Sequence, residues 1–151
     1  MAASRRVGRR DDAAMTDCPF CRIVAGEAPA AVVLDDGGFL AFLDVRPLFP
    51  GHTLLVPREH HETLTDLPPD VVGPLFTQAR RLAGAMERGL GAQGSFVAVN
   101  NRVSQSVPHL HVHVVPRTKG DGLKGFFWPR TRYEDEEAME GVAARLRTAL
   151  G

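Results

Sequence analysis

The chain predicts an α+β fold, with five antiparallel strands in one sheet and two main helices. Three observations carry this expectation. Residues 109–115 read His-Leu-His-Val-His-Val-Val, alternating at the two-residue period of a strand. Asp35-Asp36-Gly37-Gly38 separates two short apolar runs and has the composition of a tight hairpin turn. Between residues 66 and 90, Val71, Val72, Leu75, Phe76, Ala79, Leu82, Ala83 and Met86 recur near the 3.6-residue period of one helix face.

The elements follow in order. Residues 1–16 are basic and polar with no apolar segment behind them, so they predict a disordered leader and no secretory signal. Met15 is an alternative start. Cys21–Gly26 predicts a short helical turn ended by glycine. Ala31–Leu34 and Phe39–Leu43 predict the first two strands, and Gly51–Val56 the third, closed by Pro57. Asp66 is the expected cap of a helix that carries Pro68 and Pro69 early and runs to about Leu90. Gly73 and Pro74 predict a kinked or displaced start, and Gly89-Leu90-Gly91 an end. Phe96–Val99 and His109–Val115 predict strands four and five, joined by a polar turn through Asn100 and Asn101. Lys119–Pro129 is Gly-rich and aromatic without a clear period. Glu134–Leu150 predicts a closing helix, acidic at its start and bearing Arg145 and Arg147 near its end, which suits the helix dipole. Residues 17–130 are then one domain, with 131–151 a C-terminal helix packed on it.

Composition excludes several function classes. Lys+Arg and Asp+Glu both number 18, so no global charge draws in nucleic acid or an acidic membrane. No apolar run approaches the length of a membrane span. The expectation is a cytoplasmic protein with neither nucleic acid nor membrane as partner.

The chemistry gathers at two places. In a strand, His109, His111 and His113 project from one face while Leu110, Val112 and Val114 pack on the other. Successive imidazoles lie about 6.6–6.8 Å apart along such a strand, so the middle one has a neighbour on each side within reach of one anion or metal. An ordinary solvated face would mix Thr, Lys, Glu and Ser. The second place is Cys18-Pro19-Phe20-Cys21. A structural disulfide does not suit a reducing compartment. A redox pair needs a strand-to-helix junction, and only a short polar leader precedes Cys18. Half of a tetrahedral zinc site is the third reading, with two further ligands to find.

Gln105-Ser106-Val107-Pro108-His109-Leu110-His111-Val112-His113-Val114-Val115-Pro116-Arg117 resembles the signature of the histidine-triad (HIT) superfamily. The likeness extends further. Cys18-Pro-Phe-Cys-Arg-Ile-Val-Ala-Gly-Glu resembles the N-terminus of zinc-containing bacterial members. Phe42-Leu43-Asp44 and Pro50-Gly51-His52-Thr53-Leu54-Leu55-Val56-Pro57-Arg58-Glu59-His60 resemble the nucleotide-binding segment. Four motifs in the family's order span roughly residues 18 to 130.

The resemblance implies a HIT-like fold and a homodimer whose two sheets join edge to edge. It implies a nucleotide hydrolase or transferase that cleaves the α-phosphate bond of its substrate through a nucleotidyl-histidine. His111 would attack, since imidazole is largely unprotonated near neutrality yet leaves phosphorus once reprotonated. His113 would donate to a non-bridging oxygen, and Ser106 and Gln105 to phosphate or the leaving-group oxygen. His52 would support the triad, and Asp44 would accept both ribose hydroxyls. Asn100 and Asn101 would face the nucleotide, and Ile23, Phe42 and Leu43 would clamp a purine. The metal ligands would be Cys18, Cys21, His60 and His109, a closed structural Zn²⁺ site, with His61 the competitor of His60.

The chain departs from the family pattern at Ser104, which stands where glycine precedes Gln-Ser, in a shortened Asn100–Gln105 loop. Gly125–Arg130 resembles the tail of a bacterial subgroup; Trp128 and Arg130 are candidates for the pocket, against core packing of the aromatics. Lys119 and Lys124 are candidates for further phosphates, against plain solvation. Two rivals come from other classes. One is a metalloenzyme holding its metal on His109, His111 and His113; the other is a nucleotide-binding module with little turnover.

Overall fold

A computed structural model describes residues 17–124 and 130–151. The expected leader with Met15, and Trp128 with its aromatic neighbours, lie outside the described residues. The chain divides into two compact units, one ending at Lys119 and the other running from Gly120 to Gly151. No helix among the described residues is long and apolar enough to cross a membrane.

The first unit holds a five-stranded sheet in which every neighbouring pair is antiparallel. Its strands are β1 (Val32–Asp35), β2 (Phe39–Leu43), β3 (Thr53–Pro57), β4 (Gly94–Ala98) and β5 (Val112–Arg117), in the order β1-β2-β3-β5-β4. Two helices accompany it, α1 (Pro19–Val24) and α2 (Pro69–Leu90). The β1–β2 turn is made by its aspartates. Asp36 Oδ1 accepts from Gly38 N at 2.9 Å and Phe39 N at 2.7 Å, while Gly37 takes φ +86°. Side chains local to the turn thereby replace the ladder that ends there.

Alternation along the strands divides the sheet into two faces. Ala41, Leu55, Val112 and Val114 face Leu75, Ala79, Leu82 and Met86 of α2. Leu40, Phe42, Leu54 and Val56 face Cys18, Phe20 and Cys21. The second face carries the chemistry.

Most element boundaries differ from expectation by a few residues, and three of them are instructive. The β5 ladder begins at Val112, not His109, because Leu110 N–H donates to the His61 carbonyl at 2.7 Å. The alternation of faces nevertheless holds through this segment, since Leu110 still joins the α2 core. Asp66 does not cap α2. It closes a 3₁₀ turn, Leu64–Asp66, where its carboxylate accepts from Thr63 N at 3.0 Å and Thr63 Oγ1 at 2.6 Å. The helix starts at Pro69, whose fixed φ suits a first-turn position, and Pro74 falls within it. The third concerns β4, whose ladder covers Gly94–Ala98 and leaves Val99 outside.

The second unit holds α3 (Glu136–Leu150). Asp135 caps it, accepting from Ala138 N at 2.7 Å, with Glu136 and Glu137 in the first turn and Arg147 in the last. Arg130 is exposed.

Candidate functional site

Cys18 caps α1, its Sγ accepting from Cys21 N at 3.4 Å, and Pro19 opens the helix. One turn then brings both thiols to one side. There they meet two histidine nitrogens. Cys21 Sγ lies 3.1 Å from His60 Nδ1 and 3.5 Å from His109 Nδ1; Cys18 Sγ lies 3.4 Å from His109 Nδ1. The two Nδ1 atoms are 3.2 Å apart. A tetrahedral zinc ion at ordinary Zn–N and Zn–S lengths separates its ligands by about 3.3–3.8 Å. The four donor atoms all lie within 4.8 Å of one another, so the cluster has the size of such a site.

The lone pairs also face the right way. His109 Nε2–H donates to the Pro57 carbonyl at 2.9 Å, which leaves Nδ1 unprotonated toward the thiols. Burial, opposed by that hydrogen bond, pushes His109 down to about 4, so it is neutral at pH 7. Burial and the neighbouring Cys18 push the Cys21 thiol up to about 12. Without a cation Cys21 stays a thiol; a divalent metal would supply the charge that makes it a thiolate ligand. His61 lies outside the cluster, with Nε2 3.7 Å from a Glu59 oxygen, and is half-buried.

His111 and His113 follow on the same face, their ring centres 4.9 Å apart. His111 Nδ1–H donates to the His109 carbonyl at 2.7 Å, so its Nε2 keeps the lone pair. A second chain of hydrogen bonds sets His113. Gly51 makes the turn before β3 at φ +102°, where an added Cβ would fall 2.5 Å from Leu90 Cδ1. This turn returns His52 beneath the loop. Leu48 N–H donates to His52 Nδ1 at 3.0 Å, so the His52 proton is on Nε2. That Nε2–H donates to His113 Nδ1 at 2.9 Å, which places the His113 proton on its own Nε2. This atom is buried and has no hydrogen-bond partner among the described residues. A buried donor without an acceptor costs about 1–3 kcal/mol, so it marks a place for an anionic oxygen. Burial, with His111 and His52 alongside, pushes His113 down to about 4 and keeps it a neutral donor; burial also lowers His52.

These rings line a cleft of about 490 Å³. Its other walls include Pro19, Phe20 and Ile23 of α1, Phe42, Leu43 and Leu54 of the sheet, Asp44 just after β2, and Ser106 and Val107. Asp44 spends Oδ1 on Arg46 N at 2.9 Å, while Oδ2 lies 3.8 Å from His52 Nε2. Of the expected site residues, Asp44, Ser106, His111 and His113 meet at the cleft, with His52 directly behind. Gln105, Asn100 and Asn101 are not among the lining residues. The Gln105 amide is held elsewhere, donating to Glu62 O at 2.7 Å and accepting from Arg102 N at 2.8 Å. Asn101 Oδ1 accepts from Leu64 N at 2.8 Å, and Asn100 is exposed. Lys119 is also absent from the walls, its backbone N–H donating to Gln93. His109 turns its free nitrogen to the thiols, so the three alternating histidines do not converge on one metal. Phe20 escaped the sequence reading; its position between the two cysteines was the available signal.

A family model described as HIT domain matches residues 25–120. An uncharacterized HIT-like protein of Mycobacterium tuberculosis is 43% identical over 138 residues, 88% of this chain and 92% of that protein. The adenylylsulfatase HINT3 of Arabidopsis thaliana is 35% identical over 109 residues, 71% of this chain and 55% of its own length. An asymmetrical bis(5'-nucleosyl)-tetraphosphatase of Schizosaccharomyces pombe is 37% identical over 108 residues, 70% of this chain and 57% of its own. Among solved structures, a zinc-bound histidine triad family protein from Mycobacterium smegmatis is 40% identical. It superposes with a TM-score of 0.70 over 89% of this chain and 99% of that one.

Proposed function

This chain belongs to the HIT domain family, and on that premise we propose that it is a nucleotidyl hydrolase or transferase acting through His111. One observation carries the reading. The hydrogen bonds described above leave a lone pair on His111 Nε2 and an unpartnered N–H on His113 Nε2, both histidines lining one cleft. A nucleophile beside a donor for developing negative charge is the pairing that nucleotidyl transfer requires.

His111 Nε2 forms a bond to the α-phosphorus while the bond to the leaving group breaks. The leaving atom takes a proton from solvent water, and Ser106 on the cleft wall supplies a hydrogen bond to it. His113 Nε2–H donates to a non-bridging oxygen throughout. Water then attacks the nucleotidyl-histidine and gives up a proton to solvent, which releases a nucleoside monophosphate and returns the lone pair to His111. Asp44 holds the ribose hydroxyls, and Phe42, Leu43 and Ile23 hold the base. The names adenylylsulfatase and bis(5'-nucleosyl)-tetraphosphatase both denote enzymes of nucleotidyl substrates with different leaving groups. They support a site that reads the nucleotidyl half.

Zn²⁺ fits Cys18, Cys21, His60 and His109 by donor type, spacing and lone-pair direction, and the zinc-bound relative supports the assignment. Four protein ligands close a tetrahedral shell, so the ion would supply cross-linking and no open position for chemistry. The proposal includes a dimer whose two sheets join edge to edge, which sedimentation would read; a monomer removes that part alone.

Product analysis tests the function directly. Wild type and His111→Asn are incubated with adenosine phosphoramidate and with diadenosine tetraphosphate. AMP from wild type and at least a hundredfold less from the variant is the expected result. If nucleotide binds and neither substrate turns over, the chain is a binding module and the catalytic reading falls.

A further inference from the structure

The hydrogen bond to the His109 carbonyl fixes one atom of the His111 ring and leaves the ring free to tilt about that line. Something must hold it laterally. His113 stands on one side, its ring at 64°. The other neighbour is Phe20, whose ring centre lies 5.1 Å from that of His111 at an interplanar angle of 86°. Phe20 is itself wedged. It is 8% exposed, meets Phe42 at 5.4 Å and 69°, and meets His109 at 5.9 Å and 70°.

Phe20 stands between Cys18 and Cys21 on a six-residue helix, and both thiols belong to the metal cluster. His109 also belongs to it, and its carbonyl accepts the His111 proton. Two of the three supports of the His111 ring, the third being His113, therefore attach to that cluster, one through a side chain and one through the backbone. We infer that Phe20 is a positioning residue for His111, and that the Cys18–Cys21–His60–His109 cluster sets the orientation of that ring through Phe20 and the His109 carbonyl. The inference rests on the nucleotidyl-transfer reading only for its kinetic arm. Misplacing a reacting atom by about 1 Å can cost about a hundredfold in rate, so a ring loosened by a fraction of that should cost about tenfold.

The test separates positioning from a mere cleft wall. Phe20→Leu keeps apolar bulk and removes the ring. If Phe20 were only a wall, KM would rise while kcat held, since ground state and transition state would lose equally. If it positions His111, kcat should fall about tenfold at saturating substrate, and Phe20→Tyr, which keeps the ring, should recover it. The second readout needs no turnover. In ¹⁵N-labelled wild type, the His111 ring resonances should report one tautomer with the proton on Nδ1. Phe20→Leu, and separately wild type stripped of metal by a chelator, should both shift those resonances toward a tautomer mixture. An unchanged kcat with raised KM overturns the inference, as do His111 resonances identical in all three samples. If wild type turns over nothing, the function reading has failed while the resonances still decide this one.

Discussion

At the scale of single residues, the structure explains the one place where the chain leaves its family's pattern. Ser104 occupies φ +61°, the left-handed region where glycine is free and a residue with a Cβ is strained. The glycine expected there is therefore a conformational requirement that this chain meets at a cost. The loop holds the shape because it is clamped on both sides. Gln105 bridges Glu62 O and Arg102 N, and Asn101 accepts from Leu64 N. Left-handed geometry costs about 1–2 kcal/mol for such a residue, and glycine gives back about 0.5–1 kcal/mol through the freer unfolded chain. Ser104→Gly should therefore stabilise the protein by about 0.5–1 kcal/mol. A thermal or urea midpoint measures it, and an unchanged or lowered midpoint would show that Ser104 is not strained. The same clamp explains why Gln105 and Asn101 could be named from sequence and yet stand off the cleft. Motif order says which residues are neighbours along the chain, but not which backbone groups claim their amides first.

Individual elements show how far a one-dimensional pattern reaches. The sheet was legible because its alternation is strict, and the α2 face because Leu75, Ala79, Leu82 and Met86 hold one stripe. The histidine segment was legible as to face but not as to ladder, since Leu110 spends its N–H on the His61 carbonyl far along the chain. Asp66 was misassigned for a related reason, its carboxylate being closer to Thr63 than to the helix it precedes. The least legible element is α1. Six residues cannot sustain a helix alone, because nucleation outweighs the few bonds gained. Its stability must come from the buried Phe20 and Cys21 and from whatever joins the thiols to His60 and His109. A chelator that strips the proposed metal should therefore free residues 18–24 first. Hydrogen exchange should rise there by tenfold or more while the buried turns of α2 stay protected. Uniform loss of protection would instead mean that the cluster supports the whole sheet, and no change would mean that it carries no metal.

For the whole molecule, the net formal charge is zero, so the pH dependence of stability is set by particular buried groups and not by global repulsion. His113 has an ordinary value of 6.5 and is pushed down to about 4 by burial and by its two histidine neighbours; His52 moves the same way. Between these two values the unfolded chain binds protons that the folded chain refuses. Stability therefore rises with pH across that window and is lost as pH falls from 6.5 toward 4. Below about 4 two carboxylates add to the loss. Arg58 holds Asp35 below its usual range, and the Thr63 hydrogen bonds do the same for Asp66, so each contributes stability that disappears on protonation. A metal held by Cys18, Cys21, His60 and His109 would be sensitive to acid as well, because protons compete for its ligands. A comparison that leaves the cluster intact isolates the triad. His113→Gln keeps a neutral donor of similar size and removes one depressed histidine. Its melting temperature should fall less steeply than that of wild type between pH 6.5 and 4, with the two curves parallel above pH 7. Equal slopes throughout would mean that His113 titrates alike in the folded and unfolded chains. The neutral, unpartnered N–H at the centre of the proposed mechanism would then lose its physical basis.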